Sequence, residues 1–316
     1  MSDYLYDKSG HDPEIAALET ALGAYAHRAP LRAEPPKRSR RALVFGAAFA
    51  AVASAAAVVV LQHRASSSAC EGGRAGFSFA VEGGAARCAG GLAERGKLPV
   101  GAWLETPSGA VANVRVADIG AIRLYGDSRL RLRGTGPNEH RLELAEGRLS
   151  ANVVAPPRLF VVDTPAAAAV DQGCAYELAV DKSGRTTLKV TSGAVTLVGA
   201  RRTVYVARGA EVVADRDRGP GTPVSSSASG ELRSAVVRFD AGDRAAVLEI
   251  AKLAGTGDTI TLWNLLATSD GRQREVFARL DALAGRPVAV TPEDVVAGKS
   301  EALELWREQL DSAWQR

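Results

Sequence analysis

"SRLRLRGTGPNEHRLELAEGRLSANV", running from Ser128 to Val153, carries the period on which the fold depends. Leu130 and Leu132 alternate with Arg129, Arg131 and Arg133. After a break, Leu142 and Leu144 alternate with Arg141 and Glu143. Successive side chains of a strand point to opposite faces, so each run presents one apolar and one charged face. The break, "GTGP" (Gly134 to Pro137), reads as a hairpin turn and not as a phosphate cradle, because no helix follows it.

The same period continues on the C-terminal side. Tyr176, Leu178 and Val180 alternate before the turn "DKSG", Leu188 and Val190 before "TSG", and Val204 and Val206 beyond it. Residues 98–214 therefore read as an all-β domain of many short strands with one wet face. An internal echo runs through it. "TPSGAV" (Thr106 to Val111) leads to "DIGAIRL" and "LELAEGRL"; later "TPAAAAV" (Thr164 to Val170) leads to "DQGCAYEL" and "LKVTSGAV". Two related halves with unequal loops, stacked as a roll or sandwich, would give that order. Gly147 and Gly193 fall where a strand must turn sharply, which calls for positive φ.

The flanks differ in composition. Residues 215–230, "DRDRGPGTPVSSSASG", read as a linker, and Asp215 and Asp217 as a solvated turn, since no calcium-loop spacing follows. Residues 231–316 read as a small helical region. Gly255 and Gly285 are stops, "TPED" (Thr291 to Asp294) is a capping box with proline at the first helical position, and Leu303, Trp306, Leu310 and Trp314 share one helical face that reads as core. On the N-terminal side, 63–97 reads as a Gly-rich connector. It holds Cys70 and Cys88, which can pair if their compartment is oxidising; Cys174 reads as a buried free thiol.

Before the connector stands "ALVFGAAFAAVASAAAVVVL", Ala42 to Leu61, with no charged side chain. At about 1.5 Å per residue this length crosses a bilayer core. A buried soluble helix would keep a polar face, and here only Ser54 interrupts the run. An export signal is the other alternative. "SRRALV" (Ser39 to Val44) is a partial twin-arginine match and "SSAC" (Ser67 to Cys70) a partial lipoprotein site, but some forty polar residues come first and the apolar core is long for a signal. Residues 42–62 are therefore expected to form a single transmembrane helix. Arg28, Arg32, Lys37, Arg38, Arg40 and Arg41 precede it, against Arg64 and Arg74 after it, which puts the N-terminus in the cytoplasm and the rest in the periplasm. Much of the net charge of +3 lies in that basic, Pro-rich linker (28–41), which reads as an orientation signal, so direct nucleic-acid binding is not expected.

The cytoplasmic segment 1–27 carries Asp12 as N-cap, Pro13 at the first helical position, and Ile15, Leu18, Leu22 and Tyr25 at helical spacing, with Tyr4, Leu5 and Tyr6 adding an apolar patch. It is too short to cover its own stripe. A disordered tail or a membrane-surface helix would also fit, but there is no Lys or Arg between Ile15 and Tyr25 to meet anionic lipid. Tyr4, Leu5, Tyr6, Ile15, Leu18 and Leu22 are accordingly expected to dock a cytoplasmic protein.

Catalytic signatures are missing. There is no G-x-S-x-G, H-E-x-x-H, Walker loop or dinucleotide glycine fingerprint. Of the four histidines only His140 falls in the β-domain, where it reads as an exposed turn residue. No enzyme activity, cofactor or metal is expected.

Taken in order, "VGAWLETPSGAVANVRVADIGAIRLYGDSRLRL", "HRLELAEGRLSANV" and "FVVDTPAAAAVDQGCAYELAVDKSGRTTLKVTSGAVTLV" resemble the FecR family, the ferric-citrate-type regulators of sigma factors. The resemblance covers about residues 98–214. It implies an all-β roll or twisted, solenoid-like sandwich on the periplasmic side of a single inner-membrane span, an unidentified periplasmic ligand or protein, and a cytoplasmic segment that binds a sigma factor or another transcription protein. "DYLYDKSGHDPEIAALE" is similar to the short zinc-free segments of anti-sigma proteins. The expected function is a signal-transducing membrane regulator of the anti-sigma type. The alternative is a membrane-tethered envelope scaffold or binding protein without a transcriptional role.

Overall fold

The structure is a computed structural model. It describes residues 75–266 and 272–315, together with Ala17 and Cys70. The expected transmembrane run 42–62, the linker 28–41 and the partner-binding residues Tyr4, Leu5, Tyr6, Ile15, Leu18 and Leu22 lie outside the described residues. No helix among the described residues is long and apolar enough to cross a membrane. From Cys70 onward the described residues belong to one compact unit, Val58–Arg316.

The β-domain consists of two antiparallel-rich sheets that share one strand. The first sheet runs β4 (Arg95–Pro99), β1 (Gly76–Glu82), β6 (Val111–Val116), β7 (Gly120–Leu124), then through β9 (His140–Val153) to β12 (Ala175–Val180), β13 (Thr186–Ser192) and β16 (Ala210–Asp215). The second runs β3 (Gly91–Ala93), β2 (Ala86–Cys88), β5 (Trp103–Thr106), β8 (Ser128–Thr135), again β9, then β10 (Phe160–Asp163), β11 (Ala168–Asp171), β14 (Ala194–Val198) and β15 (Thr203–Ala207). The first part of β9 pairs with β8 and β10 in the second sheet; from Gly147 it pairs with β7 and β12 in the first.

Gly147 makes that change of sheet possible. Its φ is +97°, and a Cβ there would lie 2.1 Å from Ser128 Oγ and 2.4 Å from Ser128 Cα. Gly193 does the equivalent in the second half of the echo. At φ +68° it carries the chain from β13 in the first sheet to β14 in the second, and a Cβ would stand 2.3 Å from the Gly173 carbonyl oxygen. Both left-handed positions lack room for any side chain.

The alternation read from the sequence sorts side chains as expected. Leu130, Leu132, Leu142 and Leu144 are fully buried in a core to which both sheets contribute, with Ile122, Phe160, Tyr176 and Leu188. The intervening charged residues form a ladder on the outer face. Arg131 and Arg133 both pair with Glu143, Arg141 with Asp163 at 2.7 Å, and the guanidinium carbons of Arg129 and Arg131 sit 4.1 and 4.5 Å from the centre of the Trp103 ring.

Three sequence expectations are corrected. Residues 76–97, read from their glycines as part of the connector 63–97, form strands β1 to β3 and the start of β4, and Phe77 and Phe79 join Leu98 in the common core. "GFSFAVE" alternates like the later strands, but small residues and turns around it dilute the signal. Segment 215–230, read as a linker, holds two short strands on β16, β17 (Gly219–Pro220) and β18 (Val224–Ser225). Thr222 there is held by Asp240, its N–H at 2.7 Å and its hydroxyl at 2.8 Å. His140 opens β9 and is only 8% exposed, with its ring edge-on to Phe77 and bonded to the Thr135 hydroxyl at 2.8 Å. The polar turn ends one residue before it, so a neighbour-based reading placed it outside.

Helices α1 (Gly230–Asp240), α2 (Ala246–Leu253), α3 (Thr259–Leu266), α4 (Gln273–Ala284), α5 (Pro292–Val296) and α6 (Ser300–Trp314) follow. Leu232, Phe239, Ile250, Leu262, Phe277 and Trp306 make their own core. Thr291 and Asp294 form the expected capping box at α5, and Trp306 and Leu310 are buried as the stripe predicted.

Candidate functional site

Strand β15 is the outer strand of the second sheet, hydrogen-bonded only to β14 among the described strands. An edge of this kind leaves alternate N–H and C=O groups without a ladder partner. At Tyr205 a helix side chain takes their place. Asn264 of α3 accepts from the Tyr205 N–H at 3.0 Å and donates through Nδ2 to the Tyr205 carbonyl at 2.9 Å. The carboxamide thus imitates one peptide unit of a neighbouring strand, and it docks the helical region onto the β-domain.

Rings reinforce this seam. Tyr205, Trp263 and Trp314 meet with centroids 5.9–6.2 Å apart. Each indole N–H has a partner, Trp263 on the Leu303 carbonyl and Trp314 on the Thr259 hydroxyl, both at 3.0 Å. The Tyr205 hydroxyl donates to Asp311 at 2.8 Å, and burial together with that carboxylate raises its pKa. Arg307 lies across the Tyr205 ring, bonded to Glu304 at 2.8 Å and Asp311 at 3.1 Å.

Beside the seam opens a cleft of about 730 Å³. One wall comes from the β-domain, with Arg158, Gln172, Ser192 and Thr196; the other comes from the helices, with Trp263 and Arg307. Its lining is predominantly polar. Arg158 is exposed and has a left-handed backbone at φ +70°, an uncommon conformation for a residue other than glycine. Its N–H is tied to the Asp171 carbonyl at 2.9 Å, which fixes the loop against the end of β11.

Under that loop lies a buried polar cluster. The Asp171 carboxyl accepts from the Gly173 N–H at 2.5 Å and the Cys174 thiol at 2.6 Å. Burial raises the pKa of Asp171 and pushes that of Cys174 up further, so Cys174 is a buried thiol, as read from the sequence. The neighbouring Tyr176 hydroxyl is buried without a hydrogen-bond partner. Among the described residues no group of His, Cys, Asp and Glu could hold a metal ion. The chemistry available in the cleft is hydrogen bonding, charge pairing and ring contact.

Of the site residues expected from the sequence, Cys70 and Cys88 are joined in a disulfide with their Cα atoms 6.3 Å apart. The cytoplasmic docking residues lie outside the described part. The cleft was missed altogether. Tyr205 and Asp311 are 106 residues apart and Tyr205 and Asn264 59 apart, and no local pattern links them. The only signal was the helical stripe ending at Trp314.

The FecR protein family matches residues 102–196. Two crystal structures of a "putative anti-sigma factor" from Parabacteroides distasonis are similar over part of the chain. Each has 15% identity and a TM-score of 0.35; they cover 43% and 48% of this chain and 64% and 73% of theirs. This chain thus spans less than two thirds of the first of them. No curated protein matches the chain. The matched segment includes the shared strand β9, both sheet-crossing glycines and Arg158, Gln172, Ser192 and Thr196 of the cleft, while Tyr205 of β15 and the helices that complete the cleft lie beyond it. Residues 102–196 are a FecR-family segment.

Proposed function

We propose that this chain is a single-pass inner-membrane regulator that passes a periplasmic binding event to a cytoplasmic sigma factor or other transcription protein, without enzymatic activity of its own. The observation that carries the reading is the FecR-family segment at 102–196, which follows an uncharged run at 42–61 flanked by six basic residues on one side and two on the other. The disulfide between Cys70 and Cys88 fits an oxidising compartment for everything after the run. On the other side, the Ile15, Leu18 and Leu22 stripe supplies a docking face with acidic rather than basic neighbours.

The test uses the full chain, solubilised from membranes. A phosphatase fused after Arg316 is expected to be active only outside the cytoplasm. Wild-type chain is expected to retain a sigma factor or other transcription protein that the Leu18→Asp/Leu22→Asp variant releases. Retention of no such protein by the wild type would remove the regulatory reading and leave the tethered scaffold. A cytoplasmically active fusion would remove the topology.

A further inference from the structure

We infer that the cleft between the FecR-family segment and helix α6 is a saccharide site, selective for a sugar that carries a carboxylate. This deepens the proposed function by naming the class of periplasmic signal, and it rests on that reading.

The chemistry of the walls sets the ligand class. Arg307 is held between Glu304 and Asp311 on the helical wall, so that wall presents fixed, planar donors and acceptors with one positive and two negative charges, and a ligand carboxylate is met from the opposite wall. The opposite wall offers the Gln172 carboxamide and the hydroxyls of Ser192 and Thr196. Tyr205 and Trp263 add ring surface between the walls. Gln172 already donates to the Thr196 hydroxyl at 3.4 Å, and a lipid or a flat aromatic ligand would leave the remaining donor and acceptor positions of these groups unmet, which is costly once water is displaced. A polyhydroxylated ring satisfies them, because vicinal hydroxyls match carboxamide and guanidinium geometry while the C–H face of the ring lies on an aromatic side chain. The volume, about 730 Å³, is within the range of small-molecule sites and suits a short oligosaccharide rather than a polymer chain in cross-section.

Arg158 supplies the selectivity. It stands exposed in the lining of the cleft, and among the described residues no ion pair engages it, in contrast to Arg307 on the other wall. The Asp171 contact to its backbone holds the loop in place, so the guanidinium is presented from a fixed base. A fork of this kind binds a carboxylate bidentately.

The full chain in detergent is applied to an array of neutral oligosaccharides and their uronic-acid counterparts of equal length. Retention is expected on uronic-acid glycans at least ten-fold above the neutral ones. Arg158→Ala is expected to erase that preference while keeping the weaker neutral retention. Ser192→Trp, which fills the cleft from an exposed position, is expected to abolish both, with the thermal unfolding midpoint of each variant unchanged. No retention on any glycan, or retention that both variants leave intact, would overturn the inference. Neither outcome depends on sigma-factor retention, so the two proposals fail separately.

Discussion

Replacing Asn264 with leucine probes the contact that joins the two halves of the described unit. The side chains have similar size, and Asn264 is only 4% exposed, so the change removes hydrogen bonds without opening a large cavity. It leaves the Tyr205 N–H and C=O, which sit 3.0 and 2.9 Å from the carboxamide, without those partners at the wall of the cleft, where the leucine side chain hinders water from replacing them. Each of the two backbone groups left unsatisfied costs about 1–3 kcal/mol, and burying an apolar side chain returns roughly 1.5–3 kcal/mol, so the net loss is about 0.5–3 kcal/mol. That loss falls on the seam, since β15 keeps its ladder to β14. The Tyr205 amide is expected to exchange with deuterium about 2- to 140-fold faster, at 1.4 kcal/mol per factor of ten, while amides of β8 and β9 keep their wild-type rates. Hydrogen exchange on peptides spanning 203–207 and 128–153 measures both. An unchanged rate at Tyr205 would refute the idea that the carboxamide stands in for a strand; equal acceleration in both peptides would refute its restriction to the seam.

Two further predictions follow from the buried groups. Changing Cys70 and Cys88 together to serine opens a loop of 18 residues' separation and is expected to lower stability by about 3 kcal/mol, as reductant should do to the wild type; denaturant titration with and without reductant checks it, and equal midpoints would dismiss a structural role. Burial raises the Asp171 pKa, so the folded state holds this proton more tightly than the unfolded chain, and stability is lost as pH rises from the ordinary carboxylate range near 4 through the folded pKa. Asp171→Asn, which keeps an oxygen for the Gly173 N–H, should flatten that part of the profile; unfolding free energies between pH 4 and 7 that run parallel for the two proteins would reject it.

The sequence by itself determined the parts governed by local rules. A period of two placed Leu130, Leu132, Leu142 and Leu144 in the core and their charged neighbours outside, because a strand fixes the face of each side chain whatever lies across from it. Gly147 and Gly193 were legible as sharp turns, since only glycine tolerates that backbone without a steric penalty. The Thr291–Asp294 cap and the Trp306–Leu310 stripe are also written within a few residues of chain. Tertiary structure decided the rest. Phe77, Phe79 and Leu98 joined the core because a second sheet lies across from them, and His140 was buried because Phe77 comes to meet it from 63 residues away. The seam and the cleft depend wholly on such meetings. Tyr205, Asn264, Arg307 and Asp311 have no shared period or spacing, and their partnership exists only because an edge strand with open hydrogen-bonding groups was closed by a helix side chain instead of another strand.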